Sequence, residues 1–113
     1  MQVNHAALKK AKGLIEHHQY VKESSWSEAQ PSTEEENAFL ERHDWETFGC
    51  WYLALDPEAS DATKERYKFP YGDFRRVHRS GLIAAKQRAA QNHYDAVAKA
   101  ADELLELFDK SVT

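Results

Sequence analysis

The chain has little cysteine, little glycine and no long hydrophobic run. Cys50 is the only cysteine among 113 residues, which excludes an intramolecular disulfide and a zinc site built from cysteines. The four glycines are scattered, so no glycine-rich loop is present to bind a phosphate. The longest apolar stretch, residues 48–55, has eight residues and is far too short to span a bilayer. Because no apolar signal region stands near the N-terminus, the expectation is a cytoplasmic protein that does not enter a membrane.

The chain is rich in alanine and in aromatic side chains. Three tryptophans, five tyrosines and five phenylalanines argue against a disordered chain, and 113 residues are enough for one core. Sixteen alanines stand against five valines, two isoleucines and four threonines, a balance that favours helix over sheet. The sequence therefore predicts one all-α domain over residues 1–113, a single compact domain of four or five short helices.

Local signals predict where the first helices begin. Asn4 is suited to cap a helix over residues 5–18, in which apolar side chains recur at helical spacing. Ser32 and the acids that follow it form a capping box, which predicts a helix that ends near His43. The connector between these helices contains Trp26, which is expected to hold it in place.

Residues 47–55 fit either a helix or a strand. Asp44 is suited to cap a helix over residues 45–55, where several large apolar side chains share one face. An apolar run of this length is also typical of a buried strand. Because no other segment looks like a convincing partner strand, we favour the helix.

The C-terminal half is predicted to hold a turn and two helices. In residues 69–73, Pro70 and Gly72 stand at positions suited to a tight reversal. A helix that begins at residue 76 or 80 and ends at residue 91 is expected next. The last helix, over residues 94–109, has the clearest apolar stripe.

The segment 67–91 is the most distinctive part of the chain because it combines aromatic side chains, cations and alanines. Between residues 64 and 88, eight cations stand against two acids, which gives +6 there and leaves −10 for the rest of a chain with a net charge of −4. The cations are Lys64, Arg66, Lys68, Arg75, Arg76, Arg79, Lys86 and Arg88. This asymmetry is compatible with binding phosphates, but the same cations can also pair with the protein's own acidic helices or lie on a solvated helix face.

The first hypothesis for function is a non-enzymatic interaction module that binds a protein partner through residues 68–79. Arginines would pair with acidic groups of the partner, and aromatic rings would supply apolar anchoring. The expected partner-binding residues are Tyr71, Phe74, Arg75, Arg76, His78 and Arg79.

Two alternatives use the same segment. The cationic face of residues 64–88, with aromatic rings for stacking, is also compatible with nucleic-acid binding. In a purely structural interpretation, His78 and Tyr71 close the core, while Arg79 and Arg88 bridge to the acidic last helix.

Catalysis and metal binding receive little support. Asp73, His78 and Ser80 can be grouped as a Ser-His-Asp set, but no nucleophile-elbow pattern surrounds Ser80, and a helix-capping role is expected for it. Cys50 is expected to be a buried, inert thiol. The six histidines include no pair at i, i+4 spacing and no HExxH pattern. We therefore expect no enzyme, no metal site and no cofactor.

Several segments together resemble a known type of protein. They are WYLALD at residues 51–56, TKERYKFPYGD at 63–73, VHRSGLIAAK at 77–86, RAAQ at 88–91 and AADELL at 100–105. The chain resembles an uncharacterised family of short bacterial and prophage proteins, some of them found beside phage head-maturation or structural proteins. The resemblance implies one small domain of phage or mobile-element origin, and it carries over no site residues.

Overall fold

A computed structural model of the protein describes residues 1–112 and has a mixed α/β fold. In chain order its elements are β1 (Gln2–Val3), α1 (His5–Glu16), β2 (Tyr20–Val21), α2 (Trp26–Ala29), α3 (Thr33–Arg42), α4 (Trp45–Gly49), β3 (Tyr52–Leu55), a 3-10 turn (Lys64–Arg66), β4 (Tyr67–Pro70), β5 (Val77–His78), α5 (Arg79–Gln91) and α6 (Asp95–Ser111). The prediction of an all-α domain with four or five helices is therefore wrong.

The strands form two small sheets. Strand β3 lies between β1 and β4 in an antiparallel sheet, and its residue Ala54 faces Val3 on one side and Lys68 on the other. Strands β2 and β5 form a parallel pair in which Tyr20 faces Val77. Strand β3 is central and mostly buried, which explains why its sequence is continuously apolar instead of alternating.

The helix predicted over residues 45–55 is only partly present, because α4 ends at Gly49 and residues 52–55 form β3. The partner strands were missed for two reasons. Strand β1 has only two residues, and β4 ends at Pro70, which reads in the sequence as part of a turn. Proline is tolerated there because it stands at the end of its strand, opposite Tyr52.

Capping explains the helix starts that were predicted correctly. Ser32 and Glu35 form the capping box at the start of α3, and the carboxylate of Asp44 accepts a hydrogen bond from the Thr47 N–H at the start of α4. Asn4 precedes α1 as expected, but its side chain does not cap the helix. Its amide instead donates to the carbonyl oxygens of Gly49 and Tyr52, at 2.9 and 3.1 Å, and so ties α1 to the sheet.

Helices α5 and α6 pack against each other and complete the core. Small buried residues of α5, among them Ala85 and Ala89, allow a close approach to α6. The predicted apolar stripe of α6 is confirmed, since its side chains at Val97, Leu104 and Phe108 are buried. Within residues 1–112, no helix is long and apolar enough to cross a membrane.

Candidate functional site

Strand β4 and helix α5 are connected by residues 71–78, which begin with a fully buried tyrosine. The Tyr71 hydroxyl donates a hydrogen bond to the Cys50 carbonyl oxygen at 2.7 Å, and its ring stacks on Trp51. A side chain at Gly72 would collide with the Arg76 carbonyl and the Trp51 ring, so the connection closes tightly only with glycine there. Tyr71 is therefore a core residue.

His78 is the centre of a hydrogen-bonded chain that we call the serine–histidine relay (Asp73, His78, Ser24 and Ser80). His78 as a whole is only 5% exposed. Its Nε2 lies 2.9 Å from Asp73 Oδ2, and its Nδ1 lies 2.8 Å from the hydroxyl of Ser24, which lies 2.8 Å from the hydroxyl of Ser80. The relay thus joins the connector before α2 to the first turn of α5.

The Asp73 carboxylate is held in place from several sides. Its Oδ1 accepts hydrogen bonds from the backbone N–H groups of Arg75 and Arg76, while Oδ2 faces His78. Partial burial by itself raises the pKa of Asp73, but the hydrogen bonds from His78 and from these two N–H groups outweigh it and lower the pKa. Asp73 is therefore an ionised acceptor near neutral pH.

A second feature is an open groove of about 350 Å³ between α3 and the 71–78 connection, which we call the phenylalanine groove. Its lining residues are Glu35, Ala38, Phe39, Arg42, His43, Asp73, Phe74 and Arg75. The ring of Phe39 stacks on Phe74 with centroids 4.5 Å apart and on His43 at 4.1 Å. Both phenylalanines are half-buried, so part of this aromatic surface faces solvent.

Phe74 has a backbone conformation that a phenylalanine rarely adopts. Its φ angle is 69°, in the left-handed region that favours glycine. A non-glycine residue held there costs about 1–3 kcal/mol, which the surrounding contacts must offset. The aromatic packing against Phe39 and Phe48 supplies such contacts.

Of the charged side chains that line the phenylalanine groove, the acids have hydrogen-bond partners among the described residues and the arginines do not. Glu35 is occupied by the capping box, and Asp73 by His78 and two backbone N–H groups. Arg42 and Arg75 form no ion pair or side-chain hydrogen bond with another of residues 1–112. The groove therefore presents two available guanidinium groups beside an aromatic stack.

Half of the cations between residues 64 and 88 have partners within the chain. These pairs are Lys64 with Asn37 and Glu36, Arg66 with the carbonyls of Asp56 and Ala59 and with Asp61, Arg79 with Asp109, and Lys86 with Asp102. The pair of Arg79 with Asp109 is bidentate, at 2.9 and 3.2 Å. Within the described part of the chain, Arg88 forms no such bridge to α6.

The structure divides the predicted partner-binding residues into two groups. Tyr71 and His78 are buried, and Arg79 is paired with α6, so these three support the connection to α5. The other three, Phe74, Arg75 and Arg76, remain accessible. The binding role of all six stays a prediction.

Sequence reasoning missed four residues because they arrive from distant parts of the chain. Phe39, Arg42 and His43 come from α3 or its end, and Ser24 comes from the connector before α2. Trp26 was expected to hold that connector, and its ring does lie 6.1 Å from the His78 ring. Ser80 does not cap α5, since the N-cap position belongs to His78 and the Ser80 hydroxyl contacts Ser24.

Residues 1–112 contain neither a group of side chains suited to bind a metal ion nor an activated thiol. Within residues 1–112, no three His, Cys, Asp or Glu side chains are grouped so that they could hold a metal ion. Cys50 is half-buried and not fully buried as expected, and this partial burial raises the pKa of its thiol despite the nearby charge of Lys10. A raised pKa keeps the thiol protonated and unreactive.

Comparisons of the chain with protein-family models, with curated proteins and with solved structures give no match. The resemblance to short prophage proteins therefore stays a prediction. The functional argument rests on the phenylalanine groove and the serine–histidine relay.

Proposed function

We propose that the protein is a small interaction module, of phage or prophage origin, that binds an acidic segment of a protein partner in the phenylalanine groove. The observation that carries the proposal is the Phe39–Phe74 stack beside Arg42 and Arg75, whose guanidinium groups have no partner among residues 1–112. The partner segment would carry carboxylates and at least one large apolar side chain.

The composition of the groove fits this kind of ligand. Aromatic side chains and arginine are enriched where protein partners bind, and they contribute most of the binding energy. A guanidinium group forms two parallel hydrogen bonds to a carboxylate, which orients the partner as well as attracting it. An apolar side chain laid on the phenylalanine rings would exclude water from these ion pairs and strengthen them.

The proposed face differs from the surface expected from the sequence. The 68–79 segment contributes Phe74 and Arg75 to the groove, while α3 and its end contribute Phe39 and Arg42 together with His43. Tyr71, His78 and Arg79 hold the connection in position and do not face the partner. Helix α3 and the connection therefore form the two sides of one binding groove.

Nucleic-acid binding is the second hypothesis. Fewer cations are available for it than the sequence suggests, because several are paired within the chain. Of the eight cations between residues 64 and 88, those without a side-chain partner in the described chain are Lys68, Arg75, Arg76 and Arg88. The protein also carries a net charge of −4, which disfavours phosphate backbones at long range.

The test measures fluorescence anisotropy with labelled peptides rich in Asp and Glu, each containing one Phe or Leu. The double variant Arg42→Glu/Arg75→Glu is expected to weaken binding at least tenfold. Its matched control is Lys9→Glu/Lys12→Glu, which makes the same change in net charge on the exposed side of α1 and is expected to bind as the wild type does.

Two outcomes count against the proposal. Equal affinity in both double variants would show that the groove does not bind the peptide. Tighter binding of a labelled single-stranded oligonucleotide than of any peptide, with an affinity that falls steeply with salt, would favour the nucleic-acid hypothesis instead.

A further inference from the structure

We propose that Ser24 is an acyl-accepting nucleophile for small carboxylic esters, with His78 as its general base and Asp73 as the positioning residue. This goes beyond partner binding and revises the expectation of no enzyme. It rests on the relay from Asp73 Oδ2 to His78 Nε2 at 2.9 Å and from His78 Nδ1 to the Ser24 hydroxyl at 2.8 Å.

The position of each proton in the relay follows from the groups that share it. An ionised carboxylate only accepts hydrogen bonds, so the Nε2 that faces Asp73 must carry a proton. In the neutral imidazole, Nδ1 is then a lone-pair acceptor, and the Ser24 hydroxyl must donate to it. Ser80 in turn donates to the Ser24 oxygen, since the only proton of that oxygen is already committed.

This order of protons prepares Ser24 for attack. When the serine proton moves to His78, the new imidazolium is stabilised by the Asp73 carboxylate. The negative charge that develops on the Ser24 oxygen is stabilised by the Ser80 hydroxyl, 2.8 Å away. The two ring nitrogens have the opposite roles from those in the familiar Ser-His-Asp set, but each still pairs one donor with one acceptor.

The base is buried and the nucleophile is exposed, as acyl transfer to a serine requires. His78 is 5% exposed and has the Trp26 ring beside it, so water competes little for its two hydrogen bonds. Ser24 itself is exposed and accessible to a dissolved ester. Among residues 1–112, the hydroxyls of Ser25 and of Ser27 in α2 bond only to each other, at 3.0 Å, and to no base.

The reaction would proceed by acyl transfer. The Ser24 oxygen forms a bond to the carbonyl carbon of the ester while its proton passes to His78 Nδ1. The carbon–oxygen bond to the leaving group then breaks, and the departing oxygen keeps the electron pair and takes the proton from His78. Water attacks the acyl-serine with help from the same base, which releases the carboxylic acid and restores the Ser24 hydroxyl.

The first experiment treats the folded protein with 4-nitrophenyl acetate and, separately, with a fluorophosphonate probe. We expect release of 4-nitrophenol and one added group on Ser24, located by peptide mass spectrometry. Ser24→Ala is expected to lose both, whereas Ser27→Ala is expected to keep both. Asp73→Asn is expected to lower the rate and to shift the midpoint of its pH profile downward, because the imidazolium loses its counter-charge.

A second experiment does not depend on an intact hydroxyl. With iodoacetamide, the new thiol in Ser24→Cys is expected to react at least about tenfold faster than the one in Ser27→Cys, because a neighbouring base is worth about 10²–10⁴ in rate. Peptide mass spectrometry separates both sites from Cys50. Absence of acylation at Ser24, equal labelling of Ser24 and Ser27, or equal thiol rates would each overturn the proposal.

Discussion

The hydroxyl of Tyr71 donates to the carbonyl oxygen of Cys50 across 2.7 Å, and this bond fastens the connection before α5 to the end of α4. Burial raises the pKa of the Tyr71 hydroxyl, so it remains a protonated donor at neutral pH. The Tyr71 side chain is fully buried, whereas Cys50, which carries the acceptor oxygen, is half-buried.

Tyr71→Phe is therefore expected to lower the free energy of unfolding by about 0.5–1.5 kcal/mol, the usual net contribution of an intramolecular hydrogen bond. Urea denaturation followed by circular dichroism measures the change. The control is Tyr94→Phe, because the half-buried Tyr94 makes no hydrogen bond through its hydroxyl to another described residue. Equal losses in the two variants would show that the Cys50 bond contributes nothing specific.

Two helical glycines are expected to respond in opposite ways to alanine. A methyl group at Gly81 in α5 would meet the Tyr71 carbonyl oxygen at 2.6 Å and the ring of Trp26 at 2.7 Å, whereas one at Gly13 in α1 would meet nothing within 4 Å. Gly13→Ala is expected to raise the unfolding free energy by about 0.5–1 kcal/mol through helix propensity. Gly81→Ala is expected to lower it despite the same gain in propensity.

The measurement is the urea midpoint of each variant beside the wild type. Because α1 and α5 are both regular helices, the intrinsic benefit of alanine is shared, and the difference between the two variants isolates the close contact at Gly81. A stabilised Gly81→Ala protein would mean that α5 does not approach Tyr71 and Trp26 as closely as the structure shows.

Helices α1, α3, α5 and α6 were the part of the fold that the sequence predicted well, because their signals are local. The capping box at Ser32 and the apolar stripe of α6 each lie within one segment. The strands depend on pairing between distant segments, and three of the five have only two residues, which is too short for any periodicity.

The candidate site was predictable only on one of its two sides. Phe74 and Arg75 stand out in the sequence because an aromatic and cationic turn is unusual. Phe39 and Arg42 look like ordinary residues of an amphipathic helix, and only the tertiary fold brings them to the groove. Ser24 lies 54 residues from His78, so the sequence offered the nearby Ser80 as the hydroxyl of the set instead.

Asp73 should make the stability of the protein sensitive to acid. Its pKa in the folded protein is below the ordinary 3.8, so the unfolded chain binds this proton more readily than the folded one. The contribution of Asp73 is thus fully present above about pH 4–5 and is lost as the pH falls through the folded pKa. Asp73→Asn lacks this contribution at every pH.

The difference in unfolding free energy between the wild type and Asp73→Asn is consequently expected to shrink below about pH 4. Urea titrations at several pH values between neutrality and the acid limit provide the measurement. A difference that stays constant over this range would mean that the Asp73 carboxylate is not stabilised by His78 and the two backbone N–H groups.

Variants of Arg79 test whether this residue stabilises the fold or binds the partner. Its bidentate pair with Asp109 lies at the surface, and such pairs contribute about 0.2–1 kcal/mol to stability. A double-mutant cycle with Arg79→Ala and Asp109→Ala is expected to give a coupling energy in that range, and this energy should diminish in high salt.

Because Arg79 is paired with α6, Arg79→Ala is expected to bind acidic peptides as the wild type does, whereas Arg75→Ala is expected to bind them more weakly. Loss of peptide affinity in Arg79→Ala, with no measurable coupling to Asp109, would assign Arg79 to the binding face and shift that face from the phenylalanine groove towards α5.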